Sequence, residues 1–329
     1  MRLAVLGAGA WGTALSISLA PRHAVTLWAR DAGRASALAS TRINQQYLPE
    51  LHVPAAVVVT ADFTAAIAGC DLILVATTTA GLRATLKRVA ASGSTAPVMW
   101  LCKGFDTESA QLPHQVAATE LPAALPRGVL SGPSFAQEVA RGFPTALTLA
   151  SSDTATAQRL ARELHHDRLR IYSSDDVAGV EVAGGLKNVM AIAAGISDGL
   201  GLGLNARAAL ITRGLAEMTR LGLQFGGRIE TFMGLAGAGD LILTCTGDLS
   251  RNRAVGLGLA HGAPLDQILR DLGHVAEGVY TARAVDRVAR EMQVDLPITR
   301  AVCRVLDDGI PPLDAVQELL RRDPRAEHC

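Results

Sequence analysis

The chain has 329 residues, of which 49% are hydrophobic, 19% charged and only 4% aromatic. That composition excludes disorder and leaves enough apolar mass for two cores with a cleft between them. Its 31 basic and 31 acidic side chains cancel, so no overall field attracts nucleic acid or anionic lipid, and an anionic ligand must be held by a local site. Five cysteines without a C-x-x-C pair indicate neither a disulfide framework nor a metal site, and the expected setting is a reducing cytoplasm.

At the N-terminus, Arg2 and the uncharged run from Leu3 to Pro21 loosely imitate a secretory signal. Glycines at 7, 9 and 12 interrupt the would-be apolar helix, so the run is read otherwise. No other stretch approaches the roughly 20 charge-free residues of a membrane span.

Up to about residue 172, short β-type runs alternate with helical ones: Leu3–Leu6, Ala24–Trp28, Leu72–Ala76, Val98–Cys102, Val129–Ser131, Ala146–Ala150 and Leu169–Tyr172. The alternation predicts βαβ units and a parallel sheet, and continuously apolar runs such as Leu72–Ala76 predict strands covered on both faces. The expected fold is a doubly wound α/β domain of Rossmann type over residues 1–175. Beyond Asp176 the rhythm gives way to long helical segments, Val177–Ser197, Ala206–Leu223, Leu265–Leu272, Tyr280–Met292, Arg300–Leu306 and Leu313–Arg321. They predict an all-helical domain, 176–329, that binds substrate and carries the chemistry, ending in a frayed tail.

Gly7-Ala8-Gly9-Ala10-Trp11-Gly12 follows the first strand directly and opens a helix, the context a dinucleotide-binding G-x-G-x-x-G turn requires. Gly7 permits the turn, Gly9 lets the backbone approach a pyrophosphate, and Gly12 lets helix and strand pack closely. At the end of the second strand, Arg30 suits a ribose 2′-phosphate, which favours NADP(H), while Asp31 keeps NAD(H) open.

Lys103 follows the strand Val98–Cys102, at the edge where an open α/β sheet places ligands. Ser131-Gly132-Pro133-Ser134 follows another strand and offers amides and hydroxyls at a helix start. Lys187 is the only charged residue of Val182–Ser197; burial would cost it its charge unless paired and would lower its pKa toward acid–base use. Gly184 and Gly185, unfavourable in a helix interior, imply that something approaches the backbone there. Asp240, alone among apolar residues, reads either as a helix cap or as the partner of Lys187. Ser250-Arg251-Asn252 sets a hydroxyl, a guanidinium and an amide side by side, a set suited to a phosphate.

These segments together resemble bacterial-type NAD(P)-dependent glycerol-3-phosphate dehydrogenases over nearly the whole chain. The resemblance rests on GAGAWGTAL at Gly7, NQQYLP at Asn44, KG at Lys103 and SGPSFAQEVARGFPTA at Ser131. It continues through GGLKNVMAIAAGISDGLGLGLNARAALITRGLAE at Gly184, GLAGAGDLILTCTGDLSRN at Gly234 and VAEG at Val275. It implies Lys187 as proton donor and acceptor, and substrate contacts from Lys103, Gly132, Ser134, Asp240, Ser250, Arg251 and Asn252. A cofactor lining of Ala10, Trp11, Arg30, Tyr47, Lys103, Ala136, Arg251, Val275 and Glu277 is likewise implied, as are a homodimer and a role in phospholipid synthesis. Three positions depart from the family pattern: Gly185 replaces Ala, Thr77-Thr78-Thr79 replaces Pro-Ser, and Ala10 replaces Ser. The remaining alternatives are a related hydroxy-acid dehydrogenase, which would not need Ser250-Arg251-Asn252, and a non-catalytic NADPH sensor, which would leave Lys187 and Asp240 without a task.

Overall fold

The computed structural model describes residues 1–273 and 276–322. β1 (Arg2–Leu6) enters the glycine turn and α1 (Ala10–Leu19), followed by β2 (Ala24–Trp28) and α2 (Ala32–Thr41). A small antiparallel pair, β3 (Ile43–Asn44) and β4 (Leu48–His52), precedes β5 (Val58–Thr60), α3 (Phe63–Ile67), β6 (Leu72–Val75), α4 (Thr79–Ala91) and β7 (Val98–Trp100). Then come α5 (Pro113–Glu120), β8 (Arg127–Ser131), α6 (Ala136–Ala140), β9 (Thr145–Ser151), α7 (Thr154–Leu164) and β10 (Leu169–Ser174).

Among the described residues the main sheet has eight strands in the order β10-β9-β8-β7-β6-β1-β2-β5. β1 lies between β2 and β6, with Leu6 opposite both Trp28 and Val75, so the run that imitated a signal peptide forms a central strand, the glycine turn and α1. Every residue of β6 is fully buried, as its unbroken apolar run requires. Burying such side chains contributes about 1.5–3 kcal/mol each, which makes these strands the frame of the domain.

All seven expected strands are present, and the sheet is parallel except where β8 meets β9, with Ser131 opposite Thr148. The reason is reach. A parallel return must travel back the length of a strand, about 17 Å for five residues, whereas the five-residue α6 spans only about 7.5 Å. The chain therefore re-enters the sheet at the edge it left.

After Ser174 the chain is helical: α8 (Val177–Gly199), α9 (Gly203–Gln224), α10 (Ile229–Met233), a π-helical turn (Leu235–Gly239), α11 (Asp240–Thr246) and α12 (Arg251–Ala260), then α13 (Leu265–Leu272), α14 (Glu277–Glu291), α15 (Pro297–Asp307) and α16 (Pro312–Leu320). α8 is the axis, buried at every residue from Gly179 to Ser197 and flanked by α9, α11, α12, α14 and α15. Its N-terminus is fixed by Asp176, which accepts from the Gly179 and Arg228 amides and the Thr231 hydroxyl. This helix is long and apolar enough to cross a membrane by length and composition, although Glu181, Lys187 and Asp198 leave it without the charge-free run of about 20 residues expected of a membrane span. Its apolar surface on all sides is explained by enclosure within the helical layer.

Candidate active site

The glycine turn has the geometry its sequence predicts. Gly7 adopts φ +129°, and a Cβ there would lie 2.6 Å from the Ala76 carbonyl oxygen at the end of β6. A Cβ on Gly12 would meet the Gly7 carbonyl oxygen at 2.0 Å, while one on Gly9 would meet nothing within 4 Å. Gly7 and Gly12 therefore serve the fold, and Gly9 leaves an open cradle before the α1 N-terminus, whose first turn carries no side-chain cap. Outward-facing amides at a positive helix end fit a pyrophosphate, so the residues present suit a dinucleotide.

The cradle is braced by Asn44, whose side-chain amide donates to the Ala8 carbonyl at 3.0 Å and the Thr13 hydroxyl at 2.8 Å. Tyr47 is tied to the same segment through its backbone N–H on the Asn44 carbonyl. Ala10, Trp11 and Ala136 pack in one small apolar cluster with Leu48, which brings α6 against α1. Arg30 is exposed just past β2. Asp31 is committed elsewhere: its carboxylate caps α2 by accepting from the Arg34 N–H at 2.7 Å.

The second centre joins three segments far apart in sequence. Asp240, fully buried, accepts from Lys103 Nζ at 2.6 Å through one oxygen and from Lys187 Nζ through the other. Lys103 also donates to the Gly132 carbonyl at 3.0 Å, and Lys187 to the Thr244 hydroxyl at 3.0 Å. Asp240 opens α11, but its carboxylate is spent on the lysines, so of the two readings the partner is the one realised. The π-helical turn before it, a distortion common at functional sites, delivers this carboxylate to the lysines.

Two ammonium groups share one carboxylate, in a place water scarcely reaches. Burial pulls the Lys187 pKa down from 10.5 to about 7, with Asp240 opposing the fall and Lys103 adding to it. Burial also pushes the Glu277 carboxyl up, against the attraction of Arg251, Lys103 and Lys187, which places these four charged residues in one field. The close approach inferred from Gly184 and Gly185 is that of the Lys103 loop. A Cβ on Gly184 would lie 3.4 Å from Lys103 Cγ, and one on Gly185 would lie 3.2 Å from Gly104 Cα.

Other expected contacts fall close by, with part of their capacity already used. Ser134 donates to the Gly132 carbonyl at 3.2 Å, so it braces the loop instead of capping α6. Ser250 caps α12 by accepting from the Arg253 N–H at 3.2 Å. Asn252 Oδ1 accepts from the Gly278 N–H at 3.0 Å, leaving its NH₂ side to donate to a ligand. Arg251 begins α12 and is exposed. Val275 lies outside the described residues.

Sequence reasoning missed Asn44, Thr244 and Thr79. Thr244 sits one helical turn after Asp240, a spacing that could have found it. Thr79, in the segment that departs from the family pattern, donates to the Lys103 carbonyl at 3.2 Å and so holds that lysine's backbone.

A glycine turn at the carboxyl edge of a doubly wound sheet, together with a buried lysine of lowered pKa bridged to Lys103 at that same edge, defines a nicotinamide-dependent oxidoreductase. Comparison with known proteins narrows the class. The description "NAD-dependent glycerol-3-phosphate dehydrogenase N-terminus" matches residues 2–157, and the corresponding C-terminus matches residues 176–317. The chain is 60% identical to glycerol-3-phosphate dehydrogenase [NAD(P)+] of Thiobacillus denitrificans, covering 99% of this chain and 100% of the relative. It is 57% identical to that of Nitrosospira multiformis over 99% of both chains. The crystal structure of glycerol-3-phosphate dehydrogenase from Coxiella burnetii superposes with a TM-score of 0.93 at 41% identity, over 98% of this chain and 99% of that one. The chain belongs to the NAD-dependent glycerol-3-phosphate dehydrogenase family.

Proposed function

We propose that the protein interconverts dihydroxyacetone phosphate and sn-glycerol 3-phosphate, with NADP(H) preferred over NAD(H). The observation that carries this reading is the Lys103–Asp240–Lys187 bridge, which holds a buried ammonium with a pKa near 7 at the edge of the sheet that also carries the dinucleotide cradle. A nicotinamide dinucleotide, held through its pyrophosphate by Gly7–Gly12, would supply the hydride for C2 of the ketone and would take it back from the alcohol.

The chain's own residues do the rest. Lys187 gives a proton to the oxygen on C2 during reduction and removes it during oxidation, which balances the hydride. Asp240 holds the ammonium in place, and Lys103 adds positive charge where the oxygen becomes negative. Arg251, with the Asn252 NH₂ group, the Ser250 hydroxyl and the Gly132–Ser134 loop, receives the phosphate. Ala10, Trp11, Tyr47, Ala136 and Glu277 line the cofactor. The commitment of Asp31 to the α2 cap favours a 2′-phosphate on Arg30 over a bare ribose hydroxyl.

The deciding experiment compares kcat/KM for NADPH and NADH with dihydroxyacetone phosphate, in the wild type and in Arg30→Ala. Preference for NADPH in the wild type, lost in the variant, is expected; equal preference in both would remove the role of Arg30. Turnover of a 2-keto acid in place of the phosphorylated ketone would favour the hydroxy-acid alternative.

The reading extends to two domains, 1–175 and 176–329, supported by the change from strand to helix between Ser174 and Val177; two cooperative units in hydrogen exchange would check it. It extends also to a cytoplasmic homodimer that supplies glycerol 3-phosphate for phospholipid synthesis, which family resemblance supports. Sedimentation as a monomer at assay concentration would remove the dimer.

A further inference from the structure

α8 carries a second buried carboxylate, Glu181, only 3% exposed. One of its oxygens accepts from the Trp100 indole Nε1 at 2.7 Å, the other from His114 Nδ1 at 2.6 Å. Trp100 ends β7, and Lys103 follows within one short loop; Glu181 precedes Lys187 on α8 by about 9 Å of helix. The strand and the helix that carry the two lysines are thus joined twice, by the Trp100–Glu181 bond and by the Asp240 bridge.

His114 lies in the first turn of α5 and supplies this carboxylate with an ionisable donor. Among the described residues, two further titratable groups face the pair. Arg127 repels a charged His114, and the buried Cys102 thiol is held up in part by Glu181. Burial opposes charge on both partners: it pushes the Glu181 carboxyl up against the pull of His114 and Trp100, while Glu181 outweighs the burial of His114 and holds the imidazole above its ordinary pKa.

We propose that Glu181 is a positioning residue: through Trp100 and His114 it fixes the spacing between Lys103 and Lys187, and the protonation of His114 sets how firmly the two segments are held. This rests on the reading of Lys187 as proton donor. When His114 loses its proton, the buried carboxylate loses its counter-charge and the tie slackens. Reduction therefore carries a histidine-dependent loss on the alkaline side, separate from the titration of Lys187.

The test measures kcat and kcat/KM from pH 5.5 to 9 for the wild type, Glu181→Gln, Trp100→Phe, His114→Asn and Lys187→Ala, with the His114 titration followed by NMR. Glu181→Gln is expected to lower kcat about tenfold, to leave cofactor Kd within about twofold, and to lower the His114 pKa. The histidine step should vanish in Glu181→Gln and His114→Asn while the lysine step persists. Should Glu181→Gln not fold, Trp100→Phe and His114→Asn carry the same expectation for kcat. Retention of wild-type kcat in these variants overturns the proposal, as does a uniform loss with an unchanged pH profile. If Lys187→Ala is inactive in that case, the site reading stands and only the positioning role falls; if Lys187→Ala also stays active, it is the site reading that fails.

Discussion

Lys187 concentrates the chemistry of the molecule in one nitrogen. Burial brings its pKa to about 7, so kcat/KM for reduction, which needs the protonated form, should fall as pH rises through 7. Oxidation, which needs the neutral form, should rise over the same interval. Lys187→Ala should lose at least a hundredfold in kcat, within the usual range for a general acid or base, with cofactor Kd unchanged by fluorescence titration. Near-normal turnover would dismiss the assignment. Asp240→Asn leaves two ammonium groups facing each other without their carboxylate. Breaking a buried ion pair from one side destabilises by about 3–5 kcal/mol, so this variant should show a depressed Tm as well as lost activity. Much of this was legible, because an isolated charge in an apolar helix demands a partner. What remained hidden was that Lys103 shares the same carboxylate, since residues 103, 187 and 240 meet only through the tertiary fold.

Among elements, the turn between β1 and α1 separates binding from folding within six residues. Gly9→Ala adds a Cβ into open space, so the variant should fold with an unchanged Tm while binding the dinucleotide at least tenfold more weakly, because a methyl group intrudes where a pyrophosphate would lie. Gly12→Ala would place its Cβ 2.0 Å from a backbone oxygen and should lower Tm and cofactor affinity together. Equal effects from both substitutions would show that the cradle is not where the cofactor sits. The seven principal strands were readable from their apolar runs. β5 was not, being a three-residue strand whose Val58 is 58% exposed. The π-helical turn before α11 was not readable either: glycines at 234, 237 and 239 break the helical period before Asp240, and only the folded chain shows that this irregularity serves a purpose.

For the molecule as a whole, the helical layer holds another buried acid, remote from the site. Glu217 on α9 accepts from the Ile298 and Thr299 backbone N–H groups at the start of α15, and burial pushes its carboxyl pKa up to about 7. The native state then holds a proton that the unfolded chain releases near 4.5, so stability should fall as pH rises between those values. Glu217→Gln should flatten that slope in Tm measured from pH 4.5 to 7.5. An unchanged slope would mean the carboxylate is ionised in the native state at little expense. Lys187 acts in the opposite sense, contributing stability that grows as pH rises from about 7 toward 10.5. No pattern in the sequence separated Glu217 from the exposed glutamates around it, because its distinction lies in a helix end more than seventy residues away.

The antiparallel meeting of β8 and β9 governs what this scaffold can become. Because Ser131 leaves the sheet and Thr145 re-enters it on the same side, the intervening chain is an excursion pinned at both ends beside the lysines. The excursion reaches both halves of the pocket, since Gly132 accepts from Lys103 while Ala136 packs with Ala10 and Trp11 beside the dinucleotide turn. A change within residues 132–144 is therefore felt by the lysine centre and the cradle together, and neither can be retuned through this segment alone.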